Sequence, residues 1–290
     1  MTDHTRPLVV GLDGSDSALI ALDWAADEAT RRGWPLRLVN AYPVNTPEVA
    51  YVAGLPIAAP GREIARHTFE AAERRLITGG HAELDVSTVA REGFPRRALL
   101  REAQDSRGLV LGRRGTGRLV DLFVGSTSLA CATHAVGTPV TVVPASWRPD
   151  EPGETRQRVV VVGVDGSRRG RYAVEYAFAT ASAWGARLRA VLAYDVATDA
   201  RRYLSEALSG HESTFPDVTV SLVTEADHPA AVIRKHSGDA DLVVIGGRGH
   251  SEVTGMLLGS VARAVLYLVD RPTAVVHEPA HMRRDAREES

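Results

Sequence analysis

The sequence holds one cysteine, Cys131, one lysine, Lys235, and no long apolar run. A lone cysteine closes no internal disulfide, and without a cysteine pair there is no ligand set for zinc or an iron–sulfur cluster. A reducing cytosol suits such a chain. With one lysine among 34 basic residues, a lysine-based phosphate site is excluded elsewhere, and arginine is left to meet anions. No stretch approaches the ~20 apolar residues needed to cross a bilayer. The polar start Met1–Pro7 leads into an apolar run too short for a secretion signal. The 34 basic and 36 acidic residues are spread along the chain, which forms neither a basic stripe for nucleic acid nor an acidic tail. Aromatics are few, and Trp24, Trp34, Trp147 and Trp184 are scattered rather than clustered for base stacking. They read as core or interface residues. The expectation is a cytoplasmic protein that binds neither nucleic acid nor membrane.

What is present is a repeat. The stretch Leu8-Val9-Val10-Gly11-Leu12-Asp13-Gly14-Ser15 returns as Val160-Val161-Val162-Gly163-Val164-Asp165-Gly166-Ser167, a shift of about 150 positions that is the size of a domain. The shift also aligns Gly33 with Gly185 and Ala41-Tyr42 with Ala193-Tyr194. Further on, Leu111-Gly112-Arg113-Arg114-Gly115 matches Ile245-Gly246-Gly247-Arg248-Gly249 at a smaller shift, so the second copy is roughly 18 residues shorter between its second and third strands, the size of a loop or short helix. A Pro-rich, charged segment without apolar periodicity separates the copies. The boundaries read as domain 1 over 1–146, linker 147–157, domain 2 over 158–279 and a tail over 280–290.

Within the first copy, Val9–Leu12, Leu36–Asn40, Val86–Val89, Leu109–Leu111 and Val140–Val143 read as strands, being short, apolar and bounded by turn residues. Between the first two, Ser15 caps a helix through Arg32 whose apolar face is Ala18, Leu22, Ala25, Ala26 and Ala29, and Gly33 ends it. Segments from Glu63, Pro95 and Ser126 read likewise as helices. Strands alternating with helices imply crossover connections and a parallel sheet covered on both faces.

In such sheets ligands bind beyond the carboxyl ends of the strands. Asp13-Gly14-Ser15 follows the first strand. Gly112-Arg113-Arg114-Gly115 follows the fourth, then nine residues, then Gly125-Ser126-Thr127 at a helix start; Gly246-Gly247-Arg248-Gly249, nine residues and Gly259-Ser260-Val261 repeat the spacing. Glycines admit an anion close to backbone N–H groups, and a helix N-terminus adds free donors and a favourable dipole. The plainer reading makes these glycines caps and turns. Recurrence of the whole spacing favours phosphate binding, with Asp13 or Asp165 accepting from a ribose hydroxyl.

This pattern, with a first strand ending in D-G-S, resembles the universal stress protein family, and the tandem arrangement resembles its two-domain members. The resemblance implies two tandem open five-stranded parallel-sheet domains, Rossmann-like and of the adenine nucleotide alpha hydrolase-like class. It implies an adenine nucleotide as partner, ATP with or without Mg as cofactor, and a nucleotide-dependent role in stress response or growth. Asp13 and Gly112 would meet the ribose, the Ala41 backbone the adenine, and Gly115, Gly125, Ser126 and Thr127 the phosphates. The matching positions are Asp165, Ala193, Gly246, Gly249, Gly259, Ser260 and Val261. The stretch Pro43 to Gly61 can fold over a nucleotide; its shortening in the second copy is expected to leave that pocket open and its binding weaker or absent.

Rival readings use the same architecture. The S-G-G-x-D-S loop of ATP pyrophosphatases is matched poorly by Gly14-Ser15-Asp16-Ser17, and the H-x-G-H signature and the P-loop are absent. The expectation is no dedicated catalyst, at most a weak ATPase with Asp121 or Asp13 holding a metal. A nucleotide-transferring enzyme and a ligand-free dimerisation scaffold are the alternatives. Arg113, Arg114, Arg118, Arg248 and His250 either neutralise phosphates or are solvated loop charges. Cys131 and His134 read as packing and helix-end residues. The fifth strands would be sheet edges, which a homodimer or a pseudo-dimer within one chain can pair.

Overall fold

The computed structural model describes residues 5–42, 61–113, 124–135, 137–150, 156–194, 199–248 and 258–278. Gly115, Gly249, Arg114, Arg118, Asp121, His250 and residues 43–60 lie outside these. The first copy runs β1 (Leu8–Leu12), α1 (Asp16–Arg32), β2 (Leu36–Tyr42), α2 (Gly61–Thr78), β3 (Val86–Glu92), α3 (Pro95–Ala103), β4 (Gly108–Gly112), α4 (Ser126–His134) and β5 (Val140–Val143). The second runs β6 (Val159–Gly163), α5 (Arg171–Trp184), β7 (Arg187–Ala193), α6 (Ala200–Leu208), α7 (His211–Thr214), β8 (Val220–Glu225), α8 (Pro229–His236), β9 (Leu242–Gly246), α9 (Ser260–Leu268) and β10 (Thr273–Val276).

Local chemistry sets these elements. Ser15 caps α1, its Oγ accepting from the Ala18 N–H at 3.2 Å. Gly33 closes the helix in the left-handed region at φ 63°, a conformation that favours glycine. The expected face of Ala18, Leu22, Ala25, Ala26 and Ala29 is buried. Proline opens both α3 and α8, where a missing N–H costs nothing. The shortening of the second copy falls mainly ahead of the helix: 18 positions separate β2 from α2 and six separate β7 from α6, while 18-residue α2 is answered by 9-residue α6 and 4-residue α7.

The ten strands form one sheet in the order β3-β2-β1-β4-β5-β10-β9-β6-β7-β8. Every pair is parallel except β5 with β10, where Val142 faces Thr273 and Val140 faces Val275. The fifth strands thus cover each other's edges within one chain. Their antiparallel joint also points the carboxyl ends of the two halves in opposite directions. The core layers on both faces run through the joint: Leu22 and Leu38 share one with Phe178 and Leu188, and Leu109 and Cys131 share the other with Val243 and Val265. Between α1 and α5, the Trp184 indole donates to buried Glu28 at 2.7 Å, and Glu28 also pairs with Arg31 at 3.0 Å.

Candidate functional site

In each half the first and fourth strands are neighbours where strand order reverses, the position at which parallel sheets form a crevice. In the first half, Leu12 pairs with Asn40 and Val10 with Val110, so Asp13, Ala41 and Gly112 all lie at one end of adjacent strands. The Gly125 N–H donates to the Arg113 carbonyl at 2.6 Å and the Arg113 N–H to the Val143 carbonyl at 2.8 Å. These bonds hold the start of α4, with Ser126 and Thr127, against the end of β4. The sheet topology therefore gathers Asp13, Ala41, Gly112, Gly125, Ser126 and Thr127 at one crevice.

Asp13 is exposed, and its Oδ1 accepts from the Ser15 N–H at 3.0 Å and the Ser15 hydroxyl at 2.6 Å. Its Oδ2 has no hydrogen bond among the described residues. Gly14 turns the chain at φ 82°. The glycines differ in what they are for. A Cβ on Gly112 would stand 2.5 Å from the Ser17 carbonyl oxygen, so close packing of α1 on β4 demands glycine there. Gly125 has φ −57° and ψ 146°, and Gly259 has φ −66° and ψ 156°, conformations open to any residue. At Gly259 a Cβ would meet nothing closer than 3.6 Å. Backbone strain does not ask for glycine at either helix start.

The second half has the same frame. Asp165 Oδ1 accepts from the Ser167 N–H at 2.9 Å, and the Gly259 N–H donates to the Gly247 carbonyl at 2.9 Å. Its fittings differ. Tyr203 of α6 donates to the Asp165 carbonyl at 3.4 Å and lies so close over Gly166 that a Cβ there would fall within 1.8 Å of the phenol oxygen. The pocket was expected to lie open; at this turn a side chain from the shortened segment itself covers it. In the first half, among the described residues, a Cβ at the matching position, Gly14, would meet nothing closer than the Thr68 hydroxyl oxygen at 3.6 Å. The helix starts differ too: Ser126-Thr127-Ser128 becomes Ser260-Val261-Ala262, which leaves one hydroxyl where the first half has three. Asp165 carries its carboxylate against Gly170, 2.4 Å from where a Cβ would stand, while Ala193 and Gly246 sit partly buried at strand ends like Ala41.

Sequence reasoning missed several of these residues. Buried Ser128 donates to the Gly112 carbonyl at 2.7 Å, tying α4 to β4; its place three after Gly125 was the available signal. Buried Asn40 donates to the Leu12 carbonyl at 2.8 Å, and its Oδ1, beside the end of β1, has no hydrogen-bond partner among the described residues. Leu192 occupies the matching place in the second half.

Arg113 is neither a phosphate ligand nor a solvated charge. Its guanidinium crosses the joint to donate to the carbonyls of Leu266, Tyr267 and Val269 at 2.7, 2.8 and 3.0 Å, and pairs with Asp270 at 3.4 Å. These carbonyls end α9, where a cation suits the helix dipole. Reciprocally, buried His277 shares a 2.7 Å hydrogen bond with the Ala132 carbonyl of α4, and its ring occupies the space a Cβ on Gly247 would fill. Cys131 is fully buried, which pushes its thiol up to about 12, and His134 ends α4 with Nδ1 at 2.8 Å from the Ala130 carbonyl. Neither is presented as a nucleophile or base. Among the described residues no three His, Cys, Asp or Glu side chains gather as a metal site, and no helix is long and apolar enough to cross a membrane.

The model of the universal stress protein family matches residues 4–144 and 157–277. A universal stress protein of Mycobacterium tuberculosis is 32% identical over 305 residues, covering 94% of this chain and 95% of the relative. One from Mycolicibacterium smegmatis is 31% identical, covering 93% and 96%. Among solved structures, a universal stress protein from Archaeoglobus fulgidus superposes with a TM-score of 0.71 at 16% identity over 93% of this chain and 98% of that one. A protein from Pseudomonas aeruginosa, described as a putative universal stress protein, gives 0.59 at 17% over 98% and 97%. These two likenesses speak to the fold.

Proposed function

The chain belongs to the universal stress protein family, and from that premise we propose that its first half binds ATP, with magnesium carried on the phosphates, and that the bound state regulates a stress or growth response without dedicated catalysis. The observation that carries the reading is the start of α4. Gly125 is glycine there without backbone strain to require it, beside the N–H donors of a helix N-terminus and the hydroxyls of Ser126 and Thr127. A side chain is missing where a phosphate chain would need to approach. Asp13 supports the same ligand, because Ser15 fixes one carboxylate oxygen and leaves the other to accept from a ribose hydroxyl. The Ala41 backbone, at the end of the neighbouring strand, is the proposed adenine contact, and Gly115 a further phosphate contact.

The second half is the weaker binder in this reading. Its proposed residues Asp165, Ala193, Gly246, Gly249, Gly259, Ser260 and Val261 keep the frame, but Tyr203 stands over the ribose turn and Val261 replaces the hydroxyl of Thr127. Gly125→Val tests the proposal by equilibrium binding. Each hydrogen bond to a charged group is worth about 1.5–3 kcal/mol, so losing even one should weaken ATP at least ~10-fold. Unchanged affinity in that variant would refute the phosphate cradle.

A further inference from the structure

A cavity of about 550 Å³ lies at the seam between the halves; among the described residues no crevice glycine lines it, and Asp270 on its wall is the partner of Arg113. Its size is that of ordinary small-molecule sites. Its walls come from α1, the connecting segment after β5, the end of α5, and the loops that lead into β9 and β10. Three of the chain's four tryptophans, Trp24, Trp147 and Trp184, contribute to it.

The charge on these walls is unbalanced. Arg148, Arg234 and Arg271 line the cavity, and none pairs with a carboxylate among the described residues. Arg148 donates to the Ala145 and Trp147 carbonyls and Arg271 to the Gly238 carbonyl, bonds that position a guanidinium without neutralising it. Six arginines and four aspartates line the cavity, and the aspartates are already engaged, Asp150 and Asp241 with the wall arginines Arg156 and Arg158 themselves. Asp150 is held by Arg156 and Arg158, Asp241 by Arg156 and the Val159 N–H, Asp27 by His81 at 3.2 Å, and Asp270 by Arg113. Arg31 and Arg158 lie 5.0 and 6.0 Å from the Trp184 ring. Desolvation, and then the neighbouring charge of Arg158, lower the Arg31 pKa, so the walls already concentrate like charge. Excess cation in a concave, tryptophan-walled space attracts and desolvates anions.

We propose that this cavity binds a small organic polyanion carrying two or more phosphate or carboxylate groups, at a site separate from the nucleotide crevice. The test is titration of the full chain at fixed ionic strength, followed by tryptophan fluorescence, with citrate as the carboxylate probe and pyrophosphate as the phosphate probe. Chloride is the control. The expected result is a saturable change with at least one probe, retained in Gly125→Val and weakened at least 10-fold by Arg148→Ala combined with Arg271→Ala. Whichever probe saturates identifies the ligand chemistry. Should the double variant fail to fold, exposed Arg234→Ala decides, with at least 3-fold weakening expected. No saturable change with either probe, a change untouched by the arginine variants, or one abolished by Gly125→Val would overturn the proposal.

Discussion

Gly112 and Gly125 share a motif but answer to different forces. Gly112→Ala sets a methyl within 2.5 Å of the Ser17 carbonyl oxygen, and overpacking of that kind costs about 1–3 kcal/mol. The variant should melt several degrees lower, whether or not nucleotide is present; an unchanged melting temperature would show that α1 yields freely. Tyr203 is the matching test for the second crevice. Removing the phenol in Tyr203→Ala should add a second, weaker event to the ATP isotherm, and an isotherm still fitted by one site would mean that the hydroxyl lost at Val261 decides. Cys131 gives a residue-scale check on packing. With its thiol at about 12, almost none is thiolate at pH 8, so a thiol reagent should fail on the folded chain and succeed in denaturant. Ready modification of the native protein would contradict the burial.

At the scale of elements, the link from β4 to α9 is the feature the sequence hid. Arg113 spends its guanidinium on the end of a helix over 150 positions away, so Arg113→Ala leaves two α9 carbonyls and that of the following Val269 without that donor. A destabilisation of about 1–3 kcal/mol is expected from thermal or urea unfolding. Arg113→Lys should recover only part of it, because one ammonium cannot span the carbonyls that a planar fork reaches; full recovery would reduce the contact to simple charge. Strands and helices were readable because their signals are local: Ser15 and Gly33 bracket α1, and the apolar runs name the strands. Arg113 was not readable, since its sequence neighbours are the glycine loop and its partner arrives only through the joint. Tyr203 was hidden for the same reason. A shortened segment reads as a lost cover, while the placement of α6 over Gly166 depends on tertiary packing.

For the whole molecule, the antiparallel joint of β5 and β10 turns two similar halves into one sheet with cores that run across it. Calorimetry should therefore give a single transition with calorimetric and van't Hoff enthalpies in agreement, whereas two resolved transitions would show that the halves melt separately. The joint also separates the two crevices by facing them in opposite directions, so each must bind with its own fittings. Those fittings are unequal, and the inequality is sharper than the repeat alone suggested: it lies at the helix start and over the ribose turn as well as in the shortened segment. Isothermal titration of the intact chain with ATP measures this directly. One ATP per chain, lost in Gly125→Val and kept in Gly259→Val, is the expected result; no binding, or binding lost in Gly259→Val and kept in Gly125→Val, would contradict it.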